Sequence, residues 1–294
     1  MKRLLITGAS GDLGRPLSAL AAKHWQTTGT YFRRAQIGGG EAVQLDLRDR
    51  AAVLALVHDL RPDVIIHAAA SNRSTEVVET NLASARHIAQ AAQAVRCRLI
   101  ALSTDMVFDG RNPPYAEEDP PTPLSPYGKA KAANEQLFRA MGGNCLVVRT
   151  SLIYDLDRNN RQVKWMQESI AAGQRVTLYV DEIRQPIWAW NLAKVLLELA
   201  ESDEVGLLNV AGPQAMSRWE YGCALLRALG YSPHEVAVAV RAAEVAPERP
   251  RNLTLRLDKA QAILKTPLLP LEEALRRAQQ RYSSGQRTST TTRR

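Results

Sequence analysis

Short apolar runs and longer amphipathic stretches alternate along the first half of this chain. The short runs predict β-strands, and stretches with apolar residues three or four positions apart predict helices. Predicted strands are the apolar run before Gly8, residues 28–32, a run ending at Asp46, and residues 63–70, 98–103 and 144–151. Predicted helices follow the first strand and cover residues 49–60, 75–95 and 127–141. This alternation predicts an α/β fold with a doubly wound, parallel, Rossmann-type sheet that binds its ligand at the C-terminal strand ends.

The pattern becomes less regular in the second half of the chain. Helical stretches at 163–172, 191–201 and 217–229 are separated by short apolar runs at 176–180 and 207–210. We therefore expect a smaller, partly interleaved C-terminal substrate subdomain. The predicted division is a dinucleotide-binding domain over 1–154 with a return at about 187–205, a substrate-binding subdomain over 155–186 and 206–282, and a disordered tail without apolar periodicity over 283–294.

Three glycines, Gly8, Gly11 and Gly14, lie between the first predicted strand and the first predicted helix. Glycine lets the backbone approach a pyrophosphate closely, and a helix N-terminus offers free N–H groups to that anion. Because the glycines lie at this strand-to-helix position, they indicate a nucleotide-binding turn rather than a purely structural one.

The segment S-P-Y-G-K-A-K begins a predicted helix and places Tyr127 and Lys131 four residues apart on one face. A nearby cation is expected to lower the pKa of a tyrosine toward the range in which proton transfer is useful. Lys129 lies at the wrong angle for this. Taken alone, the segment is more typical of an ordinary exposed helix that carries scattered lysines.

Composition narrows the class of protein. The chain has 294 residues, 45% of them hydrophobic, which suffices for a substantial core. Its net charge of +8 is dispersed and partly terminal, so small anionic ligands are favoured over nucleic acid. The apolar runs are too short to span a bilayer, so we expect no membrane partner and a cytoplasmic location. Three isolated cysteines and five scattered histidines predict no disulfide and no metal site, and His67 is interpreted as a core residue.

Several segments together resemble one family. They are the glycine turn, S-T-D-M-V-F-D-G at 103–110, the stretch at 114–119, Y-G-K-A-K, R-T-S-L-I-Y at 149–154 and M-S-R-W-E-Y-G at 216–222. In this combination the chain resembles the extended short-chain dehydrogenase/reductase family, and within it the dTDP-4-dehydrorhamnose reductases. The resemblance is strong up to residue 154 and looser beyond. It implies NADPH-dependent reduction of the 4-keto group of a nucleotide-activated 6-deoxy sugar.

The resemblance also implies roles for individual residues. Tyr127 would protonate the ketone oxygen, Thr104 would hydrogen-bond the same oxygen, and Lys131 would hold the nicotinamide ribose. The implied cofactor-binding residues are Gly8, Ser10, Gly11, Asp12, Leu13, Gly14, Arg33, Arg34, Asp46, Leu47, Ala68, Ala69, Ala70, Tyr127 and Lys131. The implied substrate-binding residues are Thr104, Asp105, Val107, Phe108, Tyr127, Asn160 and Arg184. Two of these residues have an alternative structural role. Asp46 could cap the helix that follows it, and Arg184 could form a surface salt bridge.

Cofactor choice depends on the residues after the second strand. An acidic residue there accepts hydrogen bonds from a free ribose 2′-hydroxyl, whereas arginines neutralise a 2′-phosphate. This chain has Arg33 and Arg34, which indicates NADPH, with NADH as an open alternative.

Alternatives to reduction remain open at this point. Met106 stands where the related dehydratases place a glutamate, so dehydration is disfavoured. An epimerase on the same scaffold and a non-catalytic regulatory subunit like that of methionine adenosyltransferase both remain. Leu152 replaces the tryptophan usual in the reductases, and the loop after Ala70 is short, so the identity of the sugar stays open. A homodimer is one alternative for the assembly.

Overall fold

The computed structural model describes residues 1–70 and 77–289. Its strands are β1 (Arg3–Thr7), β2 (Gln26–Tyr31), β3 (Glu41–Gln44), β4 (Val64–His67), β5 (Arg98–Thr104), β6 (Cys145–Thr150), β7 (Ile153–Tyr154), β8 (Val176–Tyr179), β9 (Ile183–Arg184), β10 (Ile187–Trp188), β11 (Gly206–Asn209), β12 (Met216–Ser217) and β13 (Ala237–Val240). Its helices are α1 (Gly14–Ala21), α2 (Arg50–Leu60), α3 (Val77–Val95), α4 (Pro126–Ala140), α5 (Arg161–Ala171), α6 (Ala189–Ala200), α7 (Arg218–Ala228), α8 (Pro233–Val236), α9 (Ala242–Val245), α10 (Asp258–Ile263) and α11 (Leu271–Ser289), and a 3₁₀ turn covers Asp105–Val107.

Seven strands form one parallel sheet in the order β3-β2-β1-β4-β5-β6-β11. This order confirms the predicted doubly wound fold, because the strand sequence reverses between β1 and β4. The register pairs Thr7 with His67 and Thr104 with Thr150. The C-terminal ends of these strands therefore meet at a single sheet edge, where a ligand of such a fold binds.

Alternating residues on each strand fill two separate cores. On β1, Leu4 and Ile6 face the side covered by α1 and α6, whereas Leu5 faces the side covered by α2, α3 and α4. The same alternation holds on β6, where Leu146 and Val147 belong to opposite cores. Since successive strand residues point to opposite faces, the continuous apolar runs in the sequence reflect a sheet buried on both sides.

The C-terminal subdomain contains three two-stranded pairs, β7 with β10, β8 with β13 and β9 with β12. Its core is rich in aromatic side chains, including Tyr154, Trp188, Trp190 and Tyr221. Helices α5, α7 and α11 pack around these strands. The chain enters this subdomain after β6, returns to the sheet domain and then enters it again, as the interleaved pattern predicts.

The return to the sheet domain extends further than predicted. Residues 206–209 were assigned to the substrate-binding subdomain, but they form β11, which pairs in parallel with β6 in the central sheet. Helix α6 buries Leu192 and Leu196 on the same face of the sheet as α1. Helix α6 is therefore the crossover connection that covers this face and brings β11 beside β6 in the sheet.

The last helix also extends further than predicted. The backbone of residues 283–289 continues α11, where a disordered tail was expected. Leu271, Leu275 and Ala278 anchor the start of this helix in the aromatic core, and a helix nucleated there propagates along the chain. Residues 290–294, and the short loop after Ala70 at 71–76, lie outside the described residues. No helix among the described residues is both long and apolar enough to cross a membrane.

Candidate active site

A turn built on Gly8, Gly11 and Gly14 connects β1 to α1. Gly8 has a φ of +73°, and a Cβ placed on it would lie 2.8 Å from Cα of Ala69. A Cβ on Gly14 would overlap the carbonyl oxygen of Gly8. Both positions therefore need glycine, since a side chain would collide with the neighbouring backbone. This cradle, at the N-terminus of α1, fits the pyrophosphate of a dinucleotide.

A groove of about 750 Å³ opens beside this turn and extends past the ends of β2 and β3. Eight of the residues predicted to bind a cofactor line it, namely Gly8, Ser10, Arg33, Arg34, Asp46, Leu47, Ala69 and Ala70. The other predicted cofactor residues are not part of its lining, namely Gly11, Asp12, Leu13, Gly14, Ala68, Tyr127 and Lys131. The binding roles of all of them stay predictions.

The end of the groove beyond β2 is aromatic and basic. The guanidinium carbons of Arg33 and Arg48 lie 5.4 and 5.6 Å from the centre of the exposed Phe32 ring. Arg48 also pairs with Asp46, Nη2 to Oδ2 at 2.7 Å, and this side-chain hydrogen bond lowers the pKa of the Asp46 carboxyl. Arg34 lines the same region. Arg48 was not predicted, and its only sequence signal is its place two residues after Asp46.

The capping role considered for Asp46 belongs to another residue. Asp49 caps α2, because its Oδ1 accepts a hydrogen bond from the backbone N–H of Ala52 at 3.0 Å. The Asp46 carboxylate is instead directed at Arg48 in the groove lining. Its predicted contact with the adenine end of a cofactor stays a prediction.

Helix α4 places Tyr127 in its first turn. Ser125 caps this helix by accepting a hydrogen bond from the backbone N–H of Gly128 at 3.1 Å. A Cβ on Gly128 would overlap the carbonyl oxygen of Met106, so the helix begins in direct contact with the turn that follows β5. This close contact brings Tyr127 to the sheet edge at which β5 ends.

Lys131 lies one turn further along α4. Its buried ammonium donates a hydrogen bond to the carbonyl oxygen of Leu102 on β5, at 2.8 Å. Thr104 is the last residue of the same strand. Lys129, in contrast, is exposed, as its position on the helix predicts. The structure therefore groups Thr104, Tyr127 and Lys131 at the C-terminal end of β5.

The pKa of Tyr127 is shifted in the direction opposite to the one expected. Burial raises it to about 12, and the negative charge of Asp105 adds to this shift. The cations that oppose the shift are Arg161 and Arg184, whereas Lys131 was expected to do so. Lys131 does not oppose the shift because its ammonium is itself buried. Burial lowers the pKa of Lys131 to about 8, so this side chain loses its charge before Tyr127 titrates. The phenol therefore stays protonated at neutral pH.

His67 is a buried core residue, as interpreted from the sequence. Its Nδ1 lies 2.8 Å from the hydroxyl oxygen of Thr7 on the neighbouring strand. Burial, with a further contribution from the charge of Lys131, lowers the pKa of His67 to about 3. The ring is therefore neutral. Among the described residues no group of three or more metal-ligating side chains occurs.

A buried ion pair lies at the C-terminal end of β5. Arg184 holds Asp105 with two hydrogen bonds, Nε to Oδ2 at 2.7 Å and Nη2 to Oδ1 at 2.6 Å. Ser151 donates a third to Asp105 Oδ2 at 2.5 Å, and the Thr104 hydroxyl lies 3.3 Å from Oδ1. Arg184 is therefore not in a surface salt bridge, and two of its donors are already used. Its predicted contact with a substrate phosphate stays a prediction.

Three other predicted substrate residues lie deeper than expected. Val107 and Phe108 are fully buried, and the Phe108 ring stacks on Tyr115 with 4.0 Å between ring centres. They contribute to the core because the 3₁₀ turn directs them under α4, and the contact with substrate predicted for both stays a prediction. Asn160 is 2% exposed and caps α5, with its Oδ1 accepting hydrogen bonds from the backbone N–H groups of Gln162 and Val163.

A second arginine of the groove was also missed from the sequence. Arg161, the first residue of α5, lines the groove and reaches the glycine turn, where its Nε lies 3.2 Å from Oδ2 of Asp12. It also acts on Tyr127, since its charge lowers the pKa of that phenol. No local signal identifies this residue, because the pairing joins positions 149 residues apart.

Comparison with known proteins gives a family match over nearly the whole chain. The family described as RmlD substrate binding domain matches residues 1–284. Among curated proteins, the β subunit of mouse (Mus musculus) methionine adenosyltransferase 2 is 31% identical over 290 residues, covering 89% of this chain and 82% of that protein. The dTDP-4-dehydrorhamnose reductase of Aggregatibacter actinomycetemcomitans is 29% identical over 282 residues, covering 89% and 92%.

Solved structures show the same relationship. A dTDP-4-dehydrorhamnose reductase from Bacillus anthracis, in complex with NADP, superimposes with a TM-score of 0.79 and 27% sequence identity. The match covers 94% of this chain and 98% of that one. The similarity therefore includes the C-terminal subdomain as well as the sheet domain.

Proposed function

Because the chain belongs to the RmlD substrate binding domain family, we propose that it uses NADPH to reduce the 4-keto group of a nucleotide-activated 6-deoxy sugar. The observation that carries this proposal is the grouping of Thr104, Tyr127 and Lys131 at the end of β5, next to α4. The bacterial reductases similar to this chain support the substrate class, and the NADP complex of one supports the cofactor. A cytoplasmic location and a homodimeric assembly stay predictions.

The geometry supports a role for Tyr127 as the proton donor in this reaction. NADPH, when bound, supplies the hydride that adds to the ketone carbon. The glycine turn would hold the pyrophosphate, and Arg33 and Arg34 would provide positive charge for a 2′-phosphate. Tyr127, whose pKa is raised to about 12 and whose phenol is therefore protonated at neutral pH, would donate its proton to the ketone oxygen as the oxygen becomes negative. Thr104 offers its hydroxyl to the same oxygen.

The residue after Asp105 favours reduction over dehydration. Met106 is a thioether at the position where elimination of water would need a carboxylate, and its Sδ lies 3.7 Å from Nη1 of Arg184. A thioether cannot transfer a proton. An epimerase would reuse its cofactor, so the measurement that separates the two is whether turnover consumes NADPH in proportion to product.

The direct test is oxidation of NADPH by the purified protein with dTDP-linked 4-keto-6-deoxyhexoses. We expect turnover with NADPH and a lower kcat/KM with NADH, since Arg33 and Arg34 favour the 2′-phosphate. The Tyr127→Phe variant should lose about 10²- to 10⁴-fold in kcat, the usual contribution of a positioned proton donor, while its Kd for NADPH stays unchanged. Tyr231→Phe, a half-buried phenol outside the groove lining, is the matched control. Full activity in Tyr127→Phe would contradict the assignment.

A second candidate function has its own support. The 31% identity to a β subunit of methionine adenosyltransferase 2 makes a regulatory subunit of such an enzyme an alternative. Under this alternative, the protein would bind NADPH but would not oxidise it with any keto sugar nucleotide. It would also co-purify in stoichiometric amount with a catalytic subunit of methionine adenosyltransferase. The intact Thr104, Tyr127 and Lys131 favour the reductase, because a regulatory role does not require a proton donor at the end of β5.

A further inference from the structure

An arginine from the C-terminal subdomain closes over the glycine turn of the sheet domain. Arg161 is the first residue of α5, yet its Nε lies 3.2 Å from Oδ2 of Asp12, which lies between Gly11 and Gly14 in the turn. The Arg161 side chain is 59% exposed and lines the groove. It therefore lies at the mouth of the groove, where it is accessible to a ligand.

Asp12 is an unfavourable neighbour for a bound anion. Its carboxylate lies in the turn whose backbone fits a pyrophosphate, and two negative charges in one turn repel each other. Two arginines compensate it, because Arg15 Nη2 lies 3.7 Å from Asp12 Oδ1 while Arg161 approaches Oδ2. Arg15 is shared further with Asp157, at 3.6 Å. The arginine with the greater freedom to change partner is Arg161, since it is the more exposed of the two.

We infer that Arg161 is a ligand for the diphosphate of a bound nucleotide, and that Asp12 holds its guanidinium in position until the nucleotide binds. The inference rests on the proposed function for the identity of the nucleotide. A guanidinium can exchange a carboxylate for a phosphate without changing its geometry, because both accept two parallel N–H bonds. The exchange would tie the C-terminal subdomain to the ligand.

The position of Arg161 between two parts of the site supports this role. Its side chain contacts the glycine turn, and its charge also lowers the pKa of Tyr127. Positive charge here therefore acts at both ends of the region that a diphosphate and its attached ribose would occupy. Two diphosphates have this chemistry, that of the dinucleotide cofactor and that of the nucleotide sugar.

The two partners of this ion pair should change ligand affinity in opposite directions. In the full-length protein, Arg161→Gln should weaken binding about tenfold, which is the loss of one charge-assisted contact. Asp12→Asn should tighten binding severalfold, since it removes the repulsion and weakens the hold of residue 12 on Arg161. Arg158→Gln replaces an exposed arginine in the loop just before α5 and should leave affinity unchanged. The measurements are the Kd of NADPH by fluorescence titration and the Kd of dTDP by calorimetry.

Each result has one interpretation. Opposite shifts for NADPH support the inference with the cofactor as the source of the diphosphate, and opposite shifts for dTDP support it with the sugar nucleotide. Unchanged affinities, or weakening in both variants, would overturn it and leave a simple salt bridge between subdomains. A wild-type protein that binds NADPH or dTDP but reduces no keto sugar would overturn the proposed function and leave this inference intact. A protein that binds neither ligand would overturn both.

Discussion

Asp105 and Asp155 are buried carboxylates that hold different parts of the molecule together, and their partners differ in kind. Asp105, at the end of β5, receives two hydrogen bonds from the Arg184 guanidinium of the C-terminal subdomain. Asp155, beyond β7, receives them from neutral groups, the indole N–H groups of Trp188 at 3.0 Å and Trp190 at 3.1 Å. The phenol of Tyr282 on α11 donates a third at 2.7 Å.

The difference in partners corresponds to a difference in role between the two carboxylates. Next to Tyr127, a fixed pair of opposite charges contributes a defined field, since Asp105 raises and Arg184 lowers the pKa of the phenol. At the other end of the subdomain, neutral donors fix the position of α11. Burial raises the pKa of Asp155, and the hydrogen bonds from Trp188 and Tyr282 only oppose this shift. The charge pair therefore serves the active site, and the neutral cluster serves packing.

The largest effect should come from breaking the charge pair. Arg184→Met should cost about 3–5 kcal/mol of unfolding free energy, because Asp105 is fully buried and would lose the cation with which it pairs. Urea denaturation of the purified variant measures this loss. Adding Asp105→Asn in the same chain should restore part of the stability, since it removes the uncompensated charge.

Arg158→Gln is the control for this measurement, because Arg158 is exposed and lies in the same subdomain. It should change the unfolding free energy by less than about 0.5 kcal/mol. If Arg184→Met alone costs less than about 1 kcal/mol, or if the double variant is no more stable than the single one, the Asp105–Arg184 pair is not what joins the subdomains.

The neutral cluster should be less costly to change. Asp155→Asn keeps the shape of the side chain but replaces one accepting oxygen with an NH₂ group that faces donors. We expect a loss of about 1–3 kcal/mol at pH 7, the usual cost of leaving buried donors unsatisfied. Asp59→Asn, an exposed carboxylate on α2, is the matched control. A loss equal to that of Arg184→Met would mean that the kind of partner makes no difference.

Much of the sheet domain could be predicted from the sequence because its signals are local. Strand and helix periods, the glycines at the strand-to-helix turn and the four-residue spacing of Tyr127 and Lys131 all follow from short stretches. The alternation of apolar residues placed the sheet between two layers of helices. The motif at the end of β5 was also placed correctly, but the burial of Val107 and Phe108 depends on how the following turn packs under α4.

The charge pairs could not be predicted, because each joins residues that are distant in sequence. Arg184 meets Asp105 across 79 residues, and Arg161 meets Asp12 across 149. A single sequence reports the period of each element but not its partner. The same limit explains why residues 206–209 were assigned to the wrong subdomain. Their pairing with β6 depends on how α6 packs over the sheet.

The smallest effect we expect is a pH dependence that belongs to Asp155 alone. Its pKa is raised in the folded protein, so the folded state binds a proton more tightly than the unfolded chain. The stability that Asp155 contributes is then fully present below its unfolded pKa of about 3.9 and is lost as pH rises through the folded value. The difference in unfolding free energy between wild type and Asp155→Asn should therefore shrink from pH 4 to pH 7.

Acids whose pKa is lowered, such as Glu182, give the opposite slope but are common to both proteins and cancel in the difference. Urea unfolding at several pH values measures it, and a difference that stays flat or grows with pH would show that the neutral donors stabilise the charged carboxylate as well as an arginine does.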